Sequence, residues 1–114
     1  MRATLLIATL SINAAAANAS SPDFDSNPIE ATYSCWAIAM SSDRAADAEA
    51  LAKFITWSRK NTPQLNLQHH ENVGKASSFA LRLQKKNETN LYYETMCKSP
   101  TLKVKQAAKQ GMFD

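Results

Sequence analysis

The sequence predicts an all-α protein, a small bundle of four or five short helices braced by one disulfide. Three observations carry that expectation. Apolar residues recur at helical spacing, and the intervals between them hold residues that start and stop helices. No stretch alternates apolar and polar side chains as a half-buried strand requires.

The first helix opens at Asn27-Pro28-Ile29-Glu30, which supplies an N-cap side chain, a proline at the first helical position and an acid at the third. Ile29, Tyr33, Trp36, Ala37 and Met40 form its inward stripe, and the helix fades at Ser41-Ser42. Ser42 is expected to cap a second helix from Asp43, with Asp43 and Asp47 near its positive end. Ala46, Ala50, Leu51, Phe54 and Ile55 make its buried face, while Trp57 lies off that face over a helix junction. Arg59 and Lys60 suit a helix C-terminus, and Asn61-Thr62-Pro63 stops the helix. A third helix runs from about Leu67 to Lys86, with Val73, Ala76, Phe79, Ala80 and Leu83 inward. Gly74 inside it costs about 1 kcal/mol relative to alanine and marks either a close approach or a local break. Asn87-Glu88-Thr89-Asn90 is a polar interruption, and Leu91 to Cys97 form a fourth helix. Ser99-Pro100 then resets the backbone before a last helix from Pro100 to about Gln110.

Residues 1–19 have the layout of a cleaved secretory signal. Arg2 is the positive n-region, Ala3 to Leu10 the apolar stretch, and Ala17-Asn18-Ala19 the small-residue site before Ser20. That apolar stretch is far shorter than the ~20 residues a membrane span needs, so no membrane attachment is expected after cleavage. Residues 20–26 are polar and read as a flexible leader, leaving 27–114 as the helical binding domain. Export places the mature chain in an oxidising compartment, the periplasm. Its roughly 95 residues stand near the lower limit for a single core.

Cys35 and Cys97 lie near opposite ends of the mature chain, with no Cys-x-x-Cys pattern and no neighbouring group that favours a thiolate. Two such cysteines in an oxidising compartment are expected to pair. A bridge closing about 60 residues restricts the unfolded chain by about 4 kcal/mol. That is comparable with the whole stability of a domain this small.

The balance of 13 basic and 10 acidic residues gives a net charge of +3 with the cations dispersed. Lys85-Lys86 and the lysines from Lys98 to Lys109 are the local concentrations, and they read as solvated faces. Neither nucleic acid nor an anionic lipid surface is the expected partner. Catalytic and metal patterns are equally thin. His69-His70-Glu71 is the densest group of metal-capable side chains, but adjacent helical residues diverge by about 100°. Val73 and Gly74 occupy the positions four residues on, where a helical zinc site needs ligands. These three side chains are expected to be exposed, and no metal or cofactor is expected. Two glycines leave no phosphate-cradling loop, and no nucleophile elbow is present. Asn87-Glu88-Thr89 matches a glycosylation sequon but reads as a polar loop. The chain is expected to bind rather than to catalyse, and Lys85, Lys86, Asn87, Glu88, Thr89 and Asn90 are the expected contact residues. Their amides, hydroxyl and mixed charges can hydrogen-bond a polar cleft.

Three segments resemble a known pattern. A half-cystine sits in a first helix of aromatic and small residues, Tyr33-Ser34-Cys35-Trp36-Ala37-Ile38-Ala39. An alanine-rich helix follows, Ala45-Ala46-Asp47-Ala48-Glu49-Ala50-Leu51-Ala52, and then Thr95-Met96-Cys97-Lys98-Ser99-Pro100-Thr101-Leu102. From Ile29 to Lys105 the chain resembles the periplasmic immunity proteins that neutralise type VI secretion amidase effectors. Met96 abuts Cys97 directly, where the family pattern places a residue between them. The resemblance implies an all-helical inhibitor that blocks the Cys-His cleft of a peptidoglycan-cleaving amidase, and it implies homodimer formation. Small periplasmic acid-stress chaperones share the helices, the signal and the single disulfide, and they stand as the alternative. They act by unfolding when carboxylates are protonated, and this chain has no acidic excess. A structural subunit of an envelope assembly stays open as a third reading.

Overall fold

The computed structural model describes residues 27–114, so the expected signal and leader lie outside the described residues. Within them the protein is an all-α bundle with no strand. Helix α1 (Pro28–Ser41) starts as its sequence dictates: the Asn27 side chain accepts from the Glu30 N–H at 3.1 Å, with Pro28 at the first turn. It is the central rod, packed against both following helices and against the chain around Cys97. Ala31, Thr32, Tyr33, Ser34, Cys35, Ala37, Ile38 and Ala39 are all buried. A helix buried on nearly every side carries no narrow stripe, and its small side chains admit neighbours from several directions. Met40 is not part of the core; it is 62 % exposed where the helix leaves the bundle.

The turn into helix α2 (Ala45–Asn61) differs from expectation. Asp43 takes the left-handed conformation at φ 60° and finishes α1, with the Arg44 N–H returning to the Ala39 carbonyl at 3.1 Å. The Ser42 hydroxyl donates back to Ile38 at 2.6 Å, so it caps nothing ahead. α2 begins two residues later than expected, without a side-chain cap. Its buried residues are Ala48, Ala50, Leu51, Ile55 and Ser58; Phe54 is half-buried and Ala46 is exposed. Trp57 does cover a junction: with Phe54 it packs against Phe113 of the C-terminal turn, ring centroids 5.5 Å and 5.3 Å from the Phe113 ring.

Helix α3 (Gln64–Lys85) buries Ala76, Phe79, Ala80 and Leu83 as expected. Gly74 marks neither a close approach nor a break, since the helix runs through it and a Cβ there would meet nothing within 4 Å. Beyond the turn, α4 (Thr89–Tyr92), a widened π turn (Tyr93–Cys97) and α5 (Lys98–Lys109) follow without a break. Ser99-Pro100 therefore does not reset the backbone. A proline inside a helix crowds the carbonyl four residues back and offers no N–H. The widened turn directly before it, where Lys98 N–H reaches the Tyr93 carbonyl five residues back, changes the hydrogen-bond step at that point. The rod thus absorbs Pro100 instead of ending.

The disulfide joins Cys35 of α1 to Cys97 of the π turn, with Cα atoms 5.6 Å apart and both residues buried. It clips the last rod to the central one beside Tyr33 and Tyr93, the two largest fully buried side chains.

Candidate functional site

The expected contact residues sit at the end of α3 and the start of α4. Lys85, Lys86, Asn87, Glu88 and Asn90 are exposed, and Thr89 is half-buried. The turn is held by its own backbone. Asn87, at φ 59°, occupies the left-handed position. Its N–H donates to the Gln84 carbonyl at 3.0 Å, and the Glu88 N–H donates to Leu83 at 2.9 Å. That pair of bonds is the Schellman arrangement, with asparagine standing where glycine is commonest. Lys85 and Lys86 have no carboxylate within ion-pair distance among the described residues. Thr89 Oγ1 is buried without a hydrogen-bond partner among the described residues.

The far end of the segment is tied across the bundle. Asn90 Oδ1 accepts from both terminal nitrogens of Arg44 at 3.4 Å. Arg44 also donates to the Ser42 hydroxyl at 2.8 Å, pairs with Glu94 at 3.7 Å and lies 4.2 Å above the Tyr93 ring. Below it the buried Tyr93 hydroxyl donates to Asp47 Oδ2 at 2.6 Å, and Lys105 donates to Asp47 Oδ1 at 2.9 Å. Burial raises the Asp47 pKa, but the hydrogen bonds from Tyr93 and Lys105 and the nearby cations outweigh it and hold the carboxyl below its ordinary range. Burial and the Asp47 carboxylate push Tyr93 up to about 12. Residue chemistry did place Asp47 at the start of the second helix, yet its partners lie 46 and 58 residues on. No spacing rule links residues so far apart.

His69-His70-Glu71 divides. His70 and Glu71 are exposed, but His69 is half-buried, with Nδ1 2.7 Å from the Tyr33 hydroxyl and Nε2 3.4 Å from Arg59. Arginine only donates, so Nε2 accepts and the proton resides on Nδ1. Burial, then the charges of Arg59 and His70, hold the His69 pKa below its ordinary value. Helix α3 begins three residues earlier than expected, which carries His69 into the second turn against α1 and explains its burial. No cluster of three metal-capable side chains occurs among the described residues. Nor is any described helix long and apolar enough to cross a membrane.

No protein-family model, curated protein or solved structure matches this chain. What remains is the geometry: an exposed polar turn with two unpaired lysines, backed by a charged network and fixed to a disulfide-braced rod.

Proposed function

We propose that the protein is a periplasmic immunity protein that binds and inhibits a peptidoglycan-cleaving amidase of the type VI secretion class. The turn from Lys85 to Asn90 enters or rims the amidase cleft. One observation carries this proposal: the segment is exposed yet conformationally defined, with a Schellman closure at one end and the Arg44–Asn90 contact at the other. An inhibitor gains affinity from a surface that loses little freedom on docking. Lys85 and Lys86, free of ion-pair partners among the described residues, speed encounter with an acidic rim. Export by residues 1–19 and the Cys35–Cys97 bridge belong to the same proposal, because a target in the cell wall requires both delivery and endurance outside the cytoplasm.

The test replaces three residues together, Asn87→Gly, Glu88→Ser and Thr89→Gly. Helicity and melting are checked first, then inhibition of a Cys-His peptidoglycan amidase is titrated with both proteins. Weakened inhibition at unchanged melting supports the turn as the contact. Unchanged inhibition removes the turn from the interface, and failure of the parent protein to bind any such amidase removes the immunity function.

A further inference from the structure

Two open depressions differ in how their charges are satisfied. A groove of about 360 Å³ lies between α1 and α3, lined by Glu30, Gln68, Glu71, Asn72 and Lys75 among others. Its charges neutralise one another, Lys75 reaching Glu71 at 3.3 Å and Glu30 at 4.0 Å. The second, of about 260 Å³, lies where α2 ends and α3 begins. Its lining is Thr56, Arg59, Lys60 and Asn66, two cations with no acid among them. Neither Arg59 nor Lys60 has a carboxylate within ion-pair distance among the described residues.

The cations alone are ordinary at a helix C-terminus. The restraint on Arg59 is not explained by that. Its Nε–H donates to Asn66 Oδ1 at 2.9 Å, and one terminal nitrogen reaches His69 Nε2 at 3.4 Å. His69 is in turn held by Tyr33, a residue only 2 % exposed on the central helix. A relay from the core therefore fixes the guanidinium on two of its five donors and leaves three unspent. Because Asn66 Oδ1 is taken by Arg59, the amide offers the pocket its NH₂ group, again a donor. Two carbonyls near the helix end are occupied: Trp57 accepts from Asn61 at 2.8 Å and Ser58 from the Thr62 N–H at 2.8 Å. Thr56 lies one turn before Arg59 and Lys60 on the same face. The four side chains present a guanidinium, an ammonium, an amide and a hydroxyl around one small space.

We propose that this pocket is an oxyanion site, taking a carboxylate or phosphate group on Arg59, Lys60, Thr56 and Asn66. A planar guanidinium held in place suits two-point recognition of such a group. The carboxylate or phosphate is either a free anion or one borne on a larger molecule.

Two-dimensional NMR of the full mature protein at about pH 7 tests this, with inorganic phosphate and acetate titrated separately at constant ionic strength in sodium chloride. Saturable shifts at the Arg59 Nε–H and the Asn66 side-chain amide are expected with at least one of them. Arg59→Gln weakens that binding by about tenfold or more, Lys60→Gln weakens it less, and Lys103→Gln leaves it unchanged. Stronger saturation by phosphate assigns a phosphate ligand, and equal or stronger saturation by acetate assigns a carboxylate. Linear, non-saturating shifts with both anions, or equal loss in Lys103→Gln and Arg59→Gln, overturn the proposal. If Arg59→Gln fails to fold, the contrast between Lys60→Gln and Lys103→Gln decides alone, and identical affinities in the two overturn it.

Discussion

Two buried tyrosines, Tyr33 and Tyr93, meet partners through their hydroxyls in opposite senses, Tyr93 donating and Tyr33 accepting, and with opposite electrostatic outcomes. Each places its hydroxyl against a titratable group on another helix: Tyr33 against His69, Tyr93 against Asp47. At Tyr93 the partner is an anion, and Lys105 and Arg44 close the charge account around it. At Tyr33 the partner is a neutral ring that passes its remaining lone pair to Arg59 and supplies no negative charge. The charges around Asp47 are therefore matched among themselves, whereas the His69 contact leaves a cation available. The disulfide joins the two arrangements, since Cys35 lies two residues after Tyr33 and Cys97 four after Tyr93.

Breaking that link has the largest expected effect. Replacing Cys35 and Cys97 with serine together costs about 4 kcal/mol, read as a lower denaturation midpoint, and it loosens both tyrosine contacts at once. Full retention of stability in the double variant would mean that the bundle does not depend on the bridge.

Asp47→Asn separates the two contacts. It removes the charge that Tyr93 and Lys105 share and is expected to cost about 2 kcal/mol at neutral pH. The Tyr93 pKa, followed by ultraviolet titration, falls from about 12 toward its ordinary value. Signals of Tyr33 and His69 stay in place; their movement would show that the contacts are coupled.

His69→Asn is the smaller counterpart, at about 1 kcal/mol, with acid stability as its signature. A histidine whose folded pKa is lowered contributes stability that is complete above about pH 6.5 and is lost as pH falls through the folded pKa. Asp47, also lowered, contributes stability present above about pH 4 and lost only as pH falls through its own folded pKa. Stability plotted against pH is thus expected to decline in two stages, the first absent from His69→Asn and the second from Asp47→Asn. One stage common to both variants would erase the distinction between the two contacts.

These contacts also mark where sequence reasoning stops. Asn27-Pro28, Asn61-Thr62-Pro63 and the lone cysteine pair act locally or through chain entropy, so the first helix start, the second helix stop and the bridge were legible. At Asp43 a serine before an acid resembles a cap, whereas the preceding helix needs a left-handed residue there. Pro100 signals a break because a proline ordinarily ends a helix, and the π turn that accommodates it has no residue signature. The turn from Lys85 to Asn90 was legible as a polar gap. Its tie to Arg44 was not, because nothing near Asn90 in the chain announces a partner 46 residues away.

The smallest expected effect concerns the turn from α3 into α4. Asn87→Gly keeps the left-handed position open and is expected to shift stability by no more than about 0.5 kcal/mol. Asn87→Ala is expected to cost about 1 kcal/mol. Equal melting of the two variants would mean that the turn does not require φ 59°.

The π turn at Tyr93–Cys97 has a consequence for length variation in this chain. Such a turn is a regular helix carrying one residue too many, taken up within the widened turn; in a regular helix, by contrast, each residue removed rotates everything downstream by about 100° and slides it by about 1.5 Å. Deleting Met96, exposed and outside every network described above, would restore a regular turn. The phase of the helix beyond it, and with it the reach of Lys105 to Asp47, would change little. A deletion inside Lys98–Lys109 has no surplus residue to absorb it and turns the remainder of that helix by a full residue step: the rod can lose a residue at the widened turn but not after it.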